Sequence, residues 1–256
     1  MRISPLAGIL VLLAAVGCVG ELPVPEPVAV PATPPSSVIP PPPARVDPLL
    51  FHSDPEGVEP NQFVVLAGNW TVRADGNARV LRVDGTGWKV GTPPVSLSDK
   101  AAALFPGSAA AFEKRVLAGL QFPYGVIRQI GTFRDGELSV DFKLVGGESD
   151  QFAALLFGLG DDANHYAYRY NTKDGDTALW KVVNGQRERV HQGGIPVPVK
   201  LGEWHVLRLR IAGAQLTGWV DDTQALTFTL PAPVTGRVGL WSKPDSVTDY
   251  RNFVAK

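Results

Sequence analysis

Between His165 and Asn171 the chain alternates two kinds of chemistry. Successive side chains of a strand point to opposite faces, so Tyr166, Tyr168 and Tyr170 fall on one side and His165, Ala167, Arg169 and Asn171 on the other. With the tyrosines in a core, the polar set lines the opposite face. Arginine and asparagine offer forked donors and acceptors, which suit sugar hydroxyls. The same alternation sends Val238 and Leu240 inward and turns Trp241 and Lys243 the other way, with Asp245 just beyond. An exposed indole beside polar groups can stack on apolar C–H faces, and Trp180 is a second such ring. His165, Arg169, Asn171, Trp180, Trp241, Lys243 and Asp245 are therefore the candidate ligand-binding residues. The competing reading is a polar sheet face with cross-strand pairing, Asp245-Ser246 being a side-chain-capped turn. Trp70 and Trp204 read as core tryptophans.

Other chemistries find less support. Glycoside hydrolysis usually needs two carboxylates at a defined separation. Glu137 and Asp141 share a strand face but stand ~13 Å apart by strand rise, too far for the usual pair, and they read as solvated positions on an outer face. No catalytic residue is assigned. The three histidines of the body, His165, His191 and His205, lack i,i+4 ligand spacing, and the single cysteine, Cys18, excludes CxxC zinc sites. The acidic loops have no EF-hand spacing, so neither metal nor cofactor is expected. A net charge of −1, from 24 basic and 25 acidic residues without a basic stripe, argues against a nucleic-acid partner.

These side chains must be positioned by strands. From Phe63 onward apolar residues recur with period two between Gly, Asn and Asp, clearest where Leu138, Val140, Phe142 and Leu144 alternate with polar neighbours. Asn184-Gly185 predicts a tight hairpin between Ala178–Val183 and Gln186–His191, and Asp221-Asp222 another tip. Many short strands with frequent turns predict an all-β antiparallel sandwich or jelly roll. Ser98 to Gly119 is alanine-rich and lacks alternation. Ser98-Asp99 and Ser108 can cap two short helices separated by Pro106-Gly107. This helical insertion is expected to cover an edge of the sandwich, with a lid as the alternative.

The N-terminus reads as an address. Arg2, the short apolar run Leu6 to Val16 and the sequence Ala15-Val16-Gly17-Cys18 predict a lipoprotein signal peptide over residues 1–18, with Cys18 lipidated. An ordinary secretory signal with an incidental cysteine is the alternative. Acyl chains such as palmitate on Cys18 would make the membrane a partner, at ~0.8 kcal/mol per buried methylene. Val19 is not the aspartate associated with inner-membrane retention, so the expected place is the bacterial cell envelope, at the outer membrane. Residues 19–48, with Pro34-Pro35 and Pro40 to Pro43, read as a proline-rich stalk extending ~3.1 Å per residue, leaving residues 49–256 as the folded domain.

A family resemblance rests on ordered segments. Phe133-Arg134-Asp135-Gly136-Glu137-Leu138 is followed by Asp150-Gln151, Asn164-His165-Tyr166, Arg169-Tyr170-Asn171 and Asn184-Gly185-Gln186-Arg187. Gly202-Glu203-Trp204-His205 and Gly239-Leu240-Trp241-Ser242-Lys243-Pro244-Asp245-Ser246 complete the series. This order resembles bacterial proteins of the concanavalin-A-like lectin/glucanase superfamily, near the 3-keto-disaccharide hydrolases and laminin-G-like domains. The resemblance implies a jelly roll of two antiparallel sheets, with sugar lying across a concave one. It departs at Gly158, where relatives often carry arginine, and in lacking the Glu-x-Asp-x-x-Glu constellation of laminarinase-type glycosidases. Fold analogy does not license chemistry. Three readings stay open: an envelope-anchored carbohydrate-binding lipoprotein, a glycoside hydrolase of the 3-keto-disaccharide type, and a structural or interaction lipoprotein without a small ligand.

Overall fold

The computed structural model describes residues 46–49, 54–88, 99–120, 122–193 and 199–256. The expected signal peptide, Cys18 and nearly all of the expected stalk lie outside the described residues, as does the Ser98 cap. In chain order the strands and helices are β1 (Val46–Leu49), β2 (Phe63–Ala67), β3 (Asn69–Asp75), β4 (Ala78–Asp84), α1 (Asp99–Leu104), α2 (Ala109–Leu117), β5 (Tyr124–Ile127) and β6 (Gly136–Gly146). They continue as β7 (Phe152–Asp161), β8 (Asn164–Asn171), β9 (Asp176–Val183), β10 (Gln186–Gln192), β11 (Trp204–Ala212), β12 (Gln215–Val220), β13 (Thr223–Thr229), β14 (Arg237–Trp241) and β15 (Val247–Ala255).

Two antiparallel sheets pack face to face. Sheet A runs β13-β12-β11-β6-β15-β4-β3, with β1 added beside β15, and sheet B runs β10-β9-β8-β7-β14-β5-β2. The period-two pattern decides which side chains meet between them. In β6, Leu138, Val140, Phe142 and Leu144 are buried while Glu137, Ser139, Asp141 and Lys143 are half-buried on the outer face. Across the core they meet Leu155, Phe157, Tyr168, Tyr170, Val238 and Leu240 of sheet B. Each such large side chain contributes roughly 1.5–3 kcal/mol on burial. Asn184 and Gly185 both take positive φ, 51° and 80°, and close the β9–β10 hairpin as expected of that pair. The sandwich begins earlier than composition indicates. Val46 pairs with Ala255 and Leu49 with Phe253, so Pro48 belongs to an edge strand that tolerates its missing N–H.

The insertion does more than cover an edge. After α1, Gly107 turns the chain, and Ser108 starts α2 by accepting the Phe112 N–H at 2.9 Å. The Ser108 hydroxyl donates back to the Phe105 carbonyl at 2.9 Å rather than forward into α2. At the far end Leu120 N–H bonds the Arg115 carbonyl at 2.9 Å across Gly119, whose φ of 70° permits that closure. Ala101, Phe105 and Phe112 then pack on Val64, Leu66, Val126 and Leu156, the outer face of sheet B. Arg115 pairs with the buried Asp162 in the β7–β8 turn. The β2, β5, β14 and β7 part of sheet B is therefore covered on both faces, which explains why β7 is almost wholly apolar instead of alternating.

Candidate functional site

Strand register gathers most of the sequence-selected residues on one surface, the outer face of sheet B. His165, Arg169 and Asn171 project from β8, opposite Val182, Ala178 and Asp176 of β9. Trp180 of β9 stands opposite Ala167, and Trp241 of β14 opposite Ala154. Lys243 follows from β14, and its ammonium reaches Asp150 at 3.1 Å, beside Asn171. The tyrosines lie on the other side, Tyr168 and Tyr170 in the core and Tyr166 packed against it.

The expectation that this polar set is solvent-facing is corrected. His165, Arg169, Asn171 and Trp241 are all buried. Two causes operate. The apolar side of the insertion and the following Phe122 cover the half holding His165 and Trp241. In the other half, Arg169 is sealed by its own ion pairs and its side chain is only 2% exposed. Period two tells which side chains share a face, but not whether a distant segment covers that face.

In the polar half, Arg169 Nη1 donates to the Asp176 carboxylate and Nη2 to Asp174 Oδ2 at 2.8 Å. Asn171 Nδ2 donates to Asp150 Oδ1 at 2.8 Å and to Asp174 Oδ2 at 3.2 Å. Lys243 donates to the same Asp150 Oδ1. Asp150 and Asp174 thus each spend one oxygen on the protein, and the second oxygen of each has no protein partner among the described residues. The Asp174 side chain is 49% exposed, so this edge of the network meets solvent. Asp245 plays a different part from the one expected. Its Oδ2 accepts the Glu148 and Ser149 N–H groups at 2.6 and 2.5 Å, tying down the loop that presents Asp150. The Ser149 N–H leads in holding the Asp245 carboxyl below its usual range. Sequence reasoning missed Asp150, Asp174 and Asp176 as site residues. The available signal was an arginine followed by two aspartates five and seven residues later, across a tight turn.

The other half is aromatic. Arg187 of β10 and Trp241 of β14 are four strands apart, roughly 19 Å on a flat sheet. Yet the Arg187 guanidinium lies 3.7 Å from the Phe122 ring centre, and that ring is 6.3 Å from Trp241 and nearly parallel to it at 18°. Side chains reaching in from both strands close the gap, with Phe122 between those strands. Below lie Tyr124 and His165, stacked at 5.9 Å. Neither ring nitrogen of His165 has a hydrogen-bond partner, and burial pushes its imidazole down to about 3. The Trp180 indole N–H is likewise buried and unpartnered. The void among Phe122, Tyr124, His165, Arg187 and Trp241 measures about 10 Å³, near the lower limit for one water.

The outer face of sheet A carries the remaining candidates. Asp141 accepts from Arg251 at 3.2 Å and Asn252 at 2.7 Å, and Glu137 pairs with Lys256 at 3.1 Å, so neither faces a cleft on sheet B. Trp204 is not a core residue. It is half-buried with Arg251 3.9 Å and Lys143 4.9 Å from its ring, and its N–H bonds Asp75 at 3.1 Å. A larger void of about 260 Å³ near Asn69 and Trp88 holds one carboxylate, Asp84, already engaged by Thr86. Among the described residues no group of three or more His, Cys, Asp or Glu is placed to hold a metal ion.

No protein-family model and no curated relative matches the sequence. Among solved structures, the carbohydrate-binding module CBM66 from Bacillus subtilis superposes at a TM-score of 0.51 and 16% identity, covering 76% of this chain and 96% of that one. The fold is a concanavalin-A-like β-sandwich. A β-glucanase from Bacillus licheniformis aligns at 0.46 and 11% identity over 82% of this chain and 97% of its own. On this frame the helical insertion packs on the outer face of sheet B.

Proposed function

We propose that the protein is a cell-envelope lipoprotein, held at the outer membrane by acyl chains on Cys18, that binds carbohydrate on the outer face of sheet B. One observation carries the binding half of this reading. Asp150 and Asp174 are clamped by Asn171, Arg169 and Lys243 through one oxygen each and keep the other for a ligand. Fixed carboxylate acceptors beside an ammonium donor match the paired hydroxyls of a saccharide. The likeness to a carbohydrate-binding module, which spans nearly all of that module, agrees with this use of the frame. Calorimetric titration of the full chain with a panel of neutral oligosaccharides tests it. At least one member is expected to bind, and Asp174→Asn should weaken it; binding that ignores both Asp174→Asn and Asp150→Asn contradicts this site. The anchor is tested separately, by incorporation of labelled palmitate that Cys18→Ala abolishes.

A second reading, glycoside hydrolysis, draws on the same pair. Because one amide donates to both, Asp150 Oδ1 and Asp174 Oδ2 lie within about 6 Å of each other. Retaining glycosidases hold their carboxyls ~5–5.5 Å apart. Release of a free sugar or keto-sugar from a bound panel member, lost in Asp150→Asn, would favour catalysis over binding alone. A chain that neither binds nor cleaves any member would favour a purely structural envelope role.

A further inference from the structure

The aromatic half of this outer face contains an unusual stack. Phe122 lies against both the guanidinium of Arg187 and the indole of Trp241, which arrive from strands four positions apart in sheet B. Buried polar groups in a finished core find partners. Here both nitrogens of His165 and the N–H of Trp180 do not. A surface evolved only to be covered would hold apolar side chains at those two positions. We infer that Phe122 is a built-in occupant of a second sugar subsite, displaced when a saccharide ring enters between Trp241 and Arg187. This deepens the carbohydrate reading above and rests on it.

The chemistry of the exchange is balanced group by group. A sugar ring presents an apolar C–H face and a rim of hydroxyls. The C–H face takes the place of the phenyl ring against Trp241. A rim hydroxyl reaches His165, which is neutral at ordinary pH and so offers one donor and one acceptor. Arg187, an exposed residue, loses its contact with Phe122 and regains a polar partner. Phe122 lies beyond the C-terminal end of α2, and the last turn of α2 is fastened by Arg115 to Asp162. The ring can therefore swing out while the insertion stays attached.

Fluorine NMR of the full chain labelled with 5-fluorotryptophan tests this, with Trp241→Phe identifying the Trp241 signal. The probes are cello-, laminari-, malto-, xylo- and fructo-oligosaccharides. The Trp241 signal is expected to move on binding, and Phe122→Ala to bind roughly tenfold tighter, the gain when the open state is about one-tenth populated. Phe122→Leu serves if the alanine variant does not fold, because it keeps apolar cover without the stacked ring. A saccharide that binds through Asp174 while leaving Trp241 unmoved, or that gains nothing from either variant, overturns the inference and leaves the carbohydrate reading standing. A panel with no binding member overturns both.

Discussion

Trp204 on the outer face of sheet A sits among cations and carboxylates, whereas Trp241 on the outer face of sheet B sits among aromatic rings and an imidazole. Around Trp204 each polar group closes on another: Lys143 on Asp75, Arg82 on Asp249, Arg251 on Asp141, and the indole N–H on Asp75. Across the outer face of sheet B the groups stay open. His165 and Trp180 lack partners, and Asp150 and Asp174 each use one oxygen. A polar network that satisfies itself on a sheet face is structural. One that leaves capacity on a sheet face retains an interaction for something else.

The contrast can be broken first by stability. Arg169→Met leaves the Asp176 carboxylate buried without its partner and should cost about 3–5 kcal/mol, read from urea unfolding. A loss below ~1 kcal/mol would mean that the pair is already solvated. Next comes ligand affinity. Asp174→Asn removes a charged acceptor worth ~1.5–3 kcal/mol, so a bound saccharide should dissociate roughly ten- to a hundredfold more readily, with a smaller loss of melting temperature because Arg169 keeps its pair with Asp176. The third test uses pH. The folded His165 imidazole is depressed to about 3 from 6.5, so below 6.5 the unfolded chain takes up a proton that the folded domain refuses. Stability conferred above 6.5 is therefore lost as pH falls, at about 1.4 kcal/mol per unit for this group. His165→Phe should flatten that slope between pH 6.5 and 4, and equal slopes in the two proteins would show that the imidazole is hydrated. The smallest effect is expected on sheet A. Arg251→Ala should cost about 1 kcal/mol or less and leave saccharide binding untouched.

Much of the frame was legible in the sequence because β-burial repeats every two residues. That period placed the tyrosine trio inward and grouped His165, Arg169 and Asn171 on one face. Asn184-Gly185 announced its own turn, since few other pairs accept two positive φ angles. Exposure was not legible. The insertion covers sheet B through contacts between Phe112 or Phe105 and strands far along the chain, and no local pattern records them. Trp204 misled for a related reason, because cations flanking an indole can half-bury it on a sheet surface without any core around it. Asp174 and Asp176 read as turn residues because they do form a turn, and only the path of Arg169 back over that turn turns them into a site.

Amide chemical-shift mapping of a bound oligosaccharide tests most directly which face carries the ligand. The perturbations should cluster on Asp150, Asn171, Asp174 and Lys243 and spread towards Trp241. Clustering on Arg208, Trp219 and Arg251 of sheet A, with the β8 amides unmoved, would contradict the sheet B site.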